Sequence, residues 1–230
     1  MASELTSPAL VSKFYDPEYE ATHDNPDKDP YMAFEKDFMR FMLSDGAGAV
    51  LVQDYPEGAC PLKIEWVDMT SYANELPTCM FMASELQEDG RLKSWKEFSP
   101  NEIKERAVLV GKQDIRQLKK HIIKYWVDHI ETILAKHHIK AEEIDYIIPH
   151  VSSMFFYEKL NDEIAARNIA LTKEKWFTNL TSVGNIGSAA IYVALEELIR
   201  TKEIKRGQKI LLLVPESGRF SYGTVLLTVQ

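Results

Sequence analysis

Two polar residues that could meet a ligand stand where the chain changes course. His150 ends the apolar run "IDYIIPH", and Asn185 lies between Gly184 and Gly187 in "TSVGNIGSAA". Both lie at the ends of predicted elements, where an open α/β sheet places its ligands. A third feature, the turn Ser217-Gly218-Arg219, joins two strand-like runs. Each also has a plain reading. A lone His after a strand can be structural. Asn185 can cap a helix, its side-chain oxygen accepting a backbone N–H two or three residues on. "ESGRF" can be only a hairpin loop in which Gly218 supplies a positive φ. The remaining chemistry-bearing residues give less. Cys60 and Cys79 form no Cys-x-x-Cys pair, so zinc is not expected. His121 and His129 are eight apart on one helix and His137 and His138 are adjacent near its end, a pattern predicting solvated surface histidines.

The elements that must position these residues follow from apolar periodicity. A helix runs from Asp114, with Ile115, Leu118, Ile122, Trp126, Ile130 and Ile133 on one stripe. A short buried strand over 144–150 delivers His150. A helix capped by Ser152 or Ser153 follows, its apolar face assigned to Met154, Phe155 and Leu160. An extended piece near "EKWFTNL" leads to the Asn185 segment and a helix over about 186–202. "KILLLV" and "YGTVLLTV" close the chain as a hairpin. Upstream, 31–43 shows near-helical spacing, "SDGAGAVLVQ" reads as a turn and a small-residue strand ending in Val50, Leu51 and Val52, and "LKIEWVDMTS" alternates as a half-buried strand. No regular element is predicted over 72–106, and the acidic, proline-punctuated 14–30 reads as a loop. The order points to a layered α/β domain with a mixed sheet.

The bulk numbers exclude several classes. The 230 residues are 45% hydrophobic and 27% charged, ordinary for a soluble globular chain. A net charge of −8 argues against a general nucleic-acid binder. No run approaches the roughly 20 apolar residues of a membrane span. "MASELTSPAL" lacks the features of a signal peptide. Two cysteines give no disulfide framework, so a cytoplasmic location is expected.

Taken in order, "SDGAGAVLV", "IDYIIPHVSS" and "GNIGSAAIYVALEELIRTKEIKRGQKILLLVPESGRFSYGTVLL" give a chain that resembles the C-terminal half of a β-ketoacyl-[acyl carrier protein] synthase III, a condensing enzyme of the thiolase fold. The match runs from about Ala2 to the C-terminus. "VPESGRFS" stands where the family has a glycine-rich "FGGG" turn, and is similar to synthases of bacterial dialkylresorcinol and aryl-polyene pathways. The resemblance implies a Cys-His-Asn site. His150 matches the family's His and Asn185 its Asn, donors to the thioester carbonyl of a malonyl unit as carbon dioxide leaves. The backbone N–H of Gly218 matches the oxyanion donor for the acyl-enzyme. No metal or organic cofactor is implied; the substrates would be acyl-CoA or acyl-ACP and malonyl-ACP.

Two departures accompany the resemblance. The family's nucleophilic Cys lies upstream of the segments that match, so none is expected in this chain; Cys60 and Cys79 fall between landmarks. After its His the family has Gln-Ala-Asn and a basic residue, where this chain has Val151-Ser152-Ser153-Met154-Phe155. Met154, Phe155 and Phe156 could line an acyl or aryl pocket or pack as helix core. Residues 1–43 are expected to be a remnant of an N-terminal half plus linker, and 44–230 the C-terminal thiolase-like domain. The leading expectation is the C-terminal part of a condensing acyltransferase, inactive alone. The alternative is a non-catalytic subunit shaping the acyl tunnel of a complete synthase. Expected partners are acyl carrier protein, coenzyme A thioesters, the missing half or a partner synthase chain, and further copies of the chain. Lys119, Lys120 and Lys124, or Lys202, Lys205 and Arg206, are candidates for carrier docking.

Overall fold

The computed structural model describes residues 1–11, 13, 39 and 41–230. The loop expected over 14–30 and most of the helix expected over 31–43 lie outside the described residues. At the start, β1 (Ala2–Glu4) pairs antiparallel with β2 (Gly46–Gly48), Ala2 opposite Gly48. The predicted strand through Val50, Leu51 and Val52 therefore ends early. Ala2, the first paired residue of β1, already faces Gly48, and the three apolar side chains beyond are 54%, 85% and 69% exposed.

β3 (Leu62–Ser71) matches the predicted strand. The stretch 72–106, without a predicted element, holds β4 (Met80–Phe81), β5 (Ser84–Leu86), β6 (Leu92–Ser94) and the short helix α1 (Pro100–Glu105). A capping box between Ser99 and Glu102 starts α1. β5 pairs with β6, and β4 with β7 (Lys112–Gln113). Then come α2 (Ile115–Lys136), β8 (Tyr146–Pro149), α3 (Met154–Ala166), α4 (Leu180–Val183) and α5 (Ala190–Thr201), before β9 (Lys209–Glu216) and β10 (Ser221–Val229).

The main sheet runs β3-β10-β9-β8, with β8 parallel to β9 and the other neighbours antiparallel. Side chains alternate between its faces. Ile147, Leu211, Leu213, Tyr222 and Leu226 pack with α2 and α3. Ile148, Ile210, Leu212, Leu227 and Val229 pack with Ala194, Leu195 and Leu198 of α5. The result is the expected layered α/β arrangement with a mixed sheet.

β3 departs from simple alternation. Its pairing with β10 shifts between Leu226, opposite Trp66, and Leu227, opposite Ile64, so Glu65 bulges. A one-residue slip moves the following side chains to the other face. Trp66 thus packs in the α2 cluster while Leu62 packs in the α5 cluster, and Ile64 is 47% exposed rather than half-buried beside Trp66.

Two histidine expectations also change. His129 is fully buried, with Nδ1 3.1 Å from Thr70 Oγ1 and Nε2 2.8 Å from Thr224 Oγ1. It stays inside because it falls three residues after Trp126 and four before Ile133, on the stripe itself. His137 stacks on Trp66 at 4.0 Å and contacts Asp68 at 2.9 Å, tying the end of α2 to β3. Neither is the solvated residue that the sequence pattern predicts.

Candidate functional site

Pro149 closes β8, and His150 follows with its backbone N–H donating to Leu213 O of the parallel neighbour β9 at 2.8 Å. This fixes His150 at the carboxyl end of the sheet, where open α/β sheets bind ligands. Its side chain has no hydrogen-bond partner among the described residues. Burial lowers its pKa to about 4, so the ring is neutral near pH 7 and one ring nitrogen carries a proton to donate.

Asn185 reaches the same place from another layer. Ser44 N–H donates to Asn185 O at 2.8 Å, and Leu43 bridges Asn185, so the "SDGAG" segment holds it by its backbone. Asn185 is 5% exposed. Its Oδ1 accepts Gly187 N–H at 3.1 Å. That bond is cap-like, yet it leaves Nδ2 without a partner among the described residues and fixes the amide plane. The first turn of the following 3-10 helix is capped instead by Glu4 of β1, whose Oε1 accepts Ser188 N–H at 2.9 Å.

The glycines serve these contacts. At Gly184 (φ +82°) an added Cβ would lie 2.6 Å from Ser44 Oγ, and at Gly187 (φ +53°) 2.7 Å from the Glu4 carboxylate carbon. Both take the left-handed backbone that glycine tolerates, and their missing side chains admit protein neighbours.

His150 and Asn185 line one cleft of about 520 Å³, together with Gln113, Trp126, Phe156 and Ser217. Leu118 and Ile122 of α2 and Pro215 of β9 complete much of its apolar wall. A smaller hollow of about 300 Å³, walled by Thr178, Asn179, Leu180 and Ala194, also touches His150. The imidazole therefore borders two spaces.

The other predicted site residues are placed differently. Gly218 does not line the cleft; its N–H donates to Glu216 Oε1, and Arg219 N–H donates to Glu216 Oε2 at 3.0 Å. The Glu216 carboxylate folds back over the turn, and the positive φ belongs to Phe220 (+51°) rather than Gly218. Met154 and Phe155 are 38% and 51% exposed and also lie off the cleft. The buried face of α3 is Phe156, Tyr157, Leu160 and Ile164, a rotation of one residue from the predicted face, and Phe156 supplies the cleft contact. Cys60 is half-buried and Cys79 buried, and neither lines the cleft. Sequence reasoning missed Gln113 and Trp126 as site residues. The signal for Trp126 was its place on the α2 stripe; Gln113 sits in a two-residue strand with no periodicity to read.

Among the described residues no group of three or more His, Cys, Asp or Glu side chains could hold a metal ion, and no helix is long and apolar enough to cross a membrane.

Helices on both faces of a mixed sheet, with a neutral His and an oriented Asn at its carboxyl end, define a layered α/β domain of the thiolase-like kind. A solved 3-oxoacyl-(acyl-carrier-protein) synthase III shares this fold with a TM-score of 0.59 at 14% identity, covering 84% of this chain and 55% of that one. Residues 134–229 match the family described as 3-oxoacyl-[acyl-carrier-protein (ACP)] synthase III C terminal. The β-ketoacyl-[acyl-carrier-protein] synthase III of Clostridium perfringens is 29% identical over 186 residues, covering 81% of this chain and 52% of that protein. That of Clostridium acetobutylicum is 30% identical over 112 residues, 49% of this chain and 33% of that protein. Residues 134–229 thus resemble the C-terminal domain of the β-ketoacyl-[acyl-carrier-protein] synthase III family. The chain spans from a third to about half of the length of these curated relatives.

Proposed function

We propose that this chain forms the C-terminal side of the cleft in a decarboxylative condensing acyltransferase, with the nucleophilic cysteine on protein outside this chain. One observation carries the reading: a neutral His150 and an Asn185 whose Nδ2 is its only free donor end line the same cleft. In the proposed reaction the bond between the malonyl carboxylate and its α-carbon breaks and carbon dioxide leaves. The electron pair passes to the thioester oxygen, where the two N–H donors stabilise the enolate. The α-carbon then attacks the acyl group held on the cysteine, expelling the thiolate. A charged imidazolium would demand desolvation that this site does not favour, which supports a neutral donor over a general acid.

For Gly218 to act as oxyanion donor, the Glu216 carboxylate has to leave its N–H. The substrates would be acyl-CoA or acyl-ACP and malonyl-ACP, and exposed Lys119 and Lys120, on the helix that supplies Leu118 and Ile122, suit an acidic carrier. A non-catalytic tunnel-shaping subunit explains the exposed Val50, Leu51 and Val52 equally well. It gives no reason for two donors in an apolar cleft.

The test joins this chain to an N-terminal half that carries a cysteine. His150→Ala should abolish malonyl decarboxylation while the cysteine still acylates. Equal loss of both steps would refute the assigned role. The chain by itself should take up no acyl group from acyl-CoA, and stable acylation of Cys60 or Cys79 in mass spectra would contradict the external nucleophile.

A further inference from the structure

Two polar atoms in the cleft wall are left unsatisfied by the fold. Gln113, 4% exposed at the end of β7, donates from Nε2 to Ser217 Oγ at 3.0 Å, and its Oε1 has no partner among the described residues. Trp126, 1% exposed on α2, likewise has no acceptor for its indole Nε1–H. Both side chains line the cleft that holds His150 and Asn185, and their neighbours Leu118, Ile122 and Phe156 are apolar.

Buried polar groups in native folds are nearly always paired, so an acceptor and a donor left unpaired on two residues of one cleft call for a further partner. Turning the Gln113 amide over exchanges which end Ser217 holds but still leaves one end unpaired. An unbranched alkyl chain could pair neither group. A hydroxyl can do both, accepting from the indole N–H and donating to the amide oxygen.

We infer that Gln113 and Trp126 form a polar subsite that selects thioesters whose otherwise apolar chain bears a hydroxyl group. The inference rests on the cleft being the thioester site. The carrier arm of the substrate, with its amides, offers the same donor and acceptor chemistry, so the test holds the arm constant and varies the chain.

The full chain is titrated calorimetrically with decanoyl-CoA and with its β-hydroxy, δ-hydroxy and ω-hydroxy counterparts. At least one hydroxylated thioester should bind about tenfold more tightly than decanoyl-CoA, since a site built around a substrate hydroxyl discriminates against the analogue lacking it. Trp126→Phe and Gln113→Leu should each remove that gain, so that the preferred thioester binds the variant no more tightly than decanoyl-CoA binds it. An indole N–H resonance that disappears in Trp126→Phe should shift with the preferred thioester and not with decanoyl-CoA. If Trp126→Phe does not fold, Gln113→Leu decides.

The proposal is overturned if no hydroxylated chain gains, or if the gain survives both substitutions. It is overturned too if both variants weaken decanoyl-CoA as much as the rest, which would assign the atoms to the carrier arm. Binding of none of the four would defeat the thioester reading of the cleft itself.

Discussion

Acidification should destabilise this domain through His129, and the size of the effect follows from its surroundings. The ring is fully buried between α2 and the sheet, with one nitrogen on Thr70 and the other on Thr224. Burial lowers its pKa from 6.5 to about 4; Lys136 pushes the same way, and Asp68 opposes. The unfolded chain therefore binds more protons between these values than the folded one. Stability is complete above about pH 6.5 and falls as the pH drops toward 4. At about 1.4 kcal/mol per unit, the full loss is roughly 3 kcal/mol, of which about 2 kcal/mol is gone at pH 5. Against a typical domain stability of about 5–15 kcal/mol this is easily measured. His129→Gln keeps an amide near both threonines and cannot titrate. Urea unfolding followed by tryptophan fluorescence should show the wild type losing about 2 kcal/mol more than the variant between pH 7 and pH 5. His150 titrates in the same direction in both proteins and cancels in the comparison. Parallel pH profiles for the two would refute the buried-neutral account, as would a directly titrated His129 with an ordinary pKa.

Other consequences can be checked on the same material. Gly187→Ala drives a Cβ toward the Glu4 carboxylate at a positive φ, and should cost about 1–3 kcal/mol in urea unfolding; an unchanged midpoint would refute this close approach of Glu4 to the backbone. Glu4→Ala removes the acceptor for Ser188 N–H and should cost about 1 kcal/mol, read the same way. Asp68, held down to about 2 by Lys136 and then His137, stabilises above the usual carboxylate range and loses this as pH falls toward 2. Because Lys136 is exposed, Asp68→Asn should cost only about 1 kcal/mol, less in high salt. In the rejoined enzyme, Asn185→Ala should slow decarboxylation by about 100-fold or more with acylation kept, measured as carbon dioxide release.

Long periodic features were legible from residue spacing. The α2 stripe and the closing β9–β10 hairpin lie where apolar spacing puts them, because many residues vote on one phase. Features set by a single residue were not. The bulge at Glu65 reverses the facing of Ile64, and a one-residue rotation of α3 exchanges Phe155 for Phe156, changes of phase that short segments cannot resolve. Pro149 at a strand end and the two glycines around a turn mark out His150 and Asn185, but their pairing as donors is implied only by the family resemblance, not by spacing. The Glu216 carboxylate takes the N–H of Gly218, two residues on, a local contact that no spacing pattern encodes.

In the proposed function, capping and catalysis need not compete at Asn185. A carboxamide has an acceptor end and a donor end, and the acceptor alone satisfies Gly187 N–H. Held there, the amide cannot rotate to present its oxygen to a developing anion, an orientation that would repel it. The glycines then have a different purpose from opening space for substrate. Gly184 admits Ser44, whose N–H holds the Asn185 carbonyl, and Gly187 admits Glu4, which takes over the helix start. With Ser188 N–H taken by Glu4, the Asn185 oxygen serves Gly187 N–H alone, and its Nδ2 has no partner among the described residues. The motif is thus a positioning device assembled from β1, the "SDGAG" segment and the helix entry together. Loosening any one of the three should free the amide to turn, lowering decarboxylation more than it lowers stability.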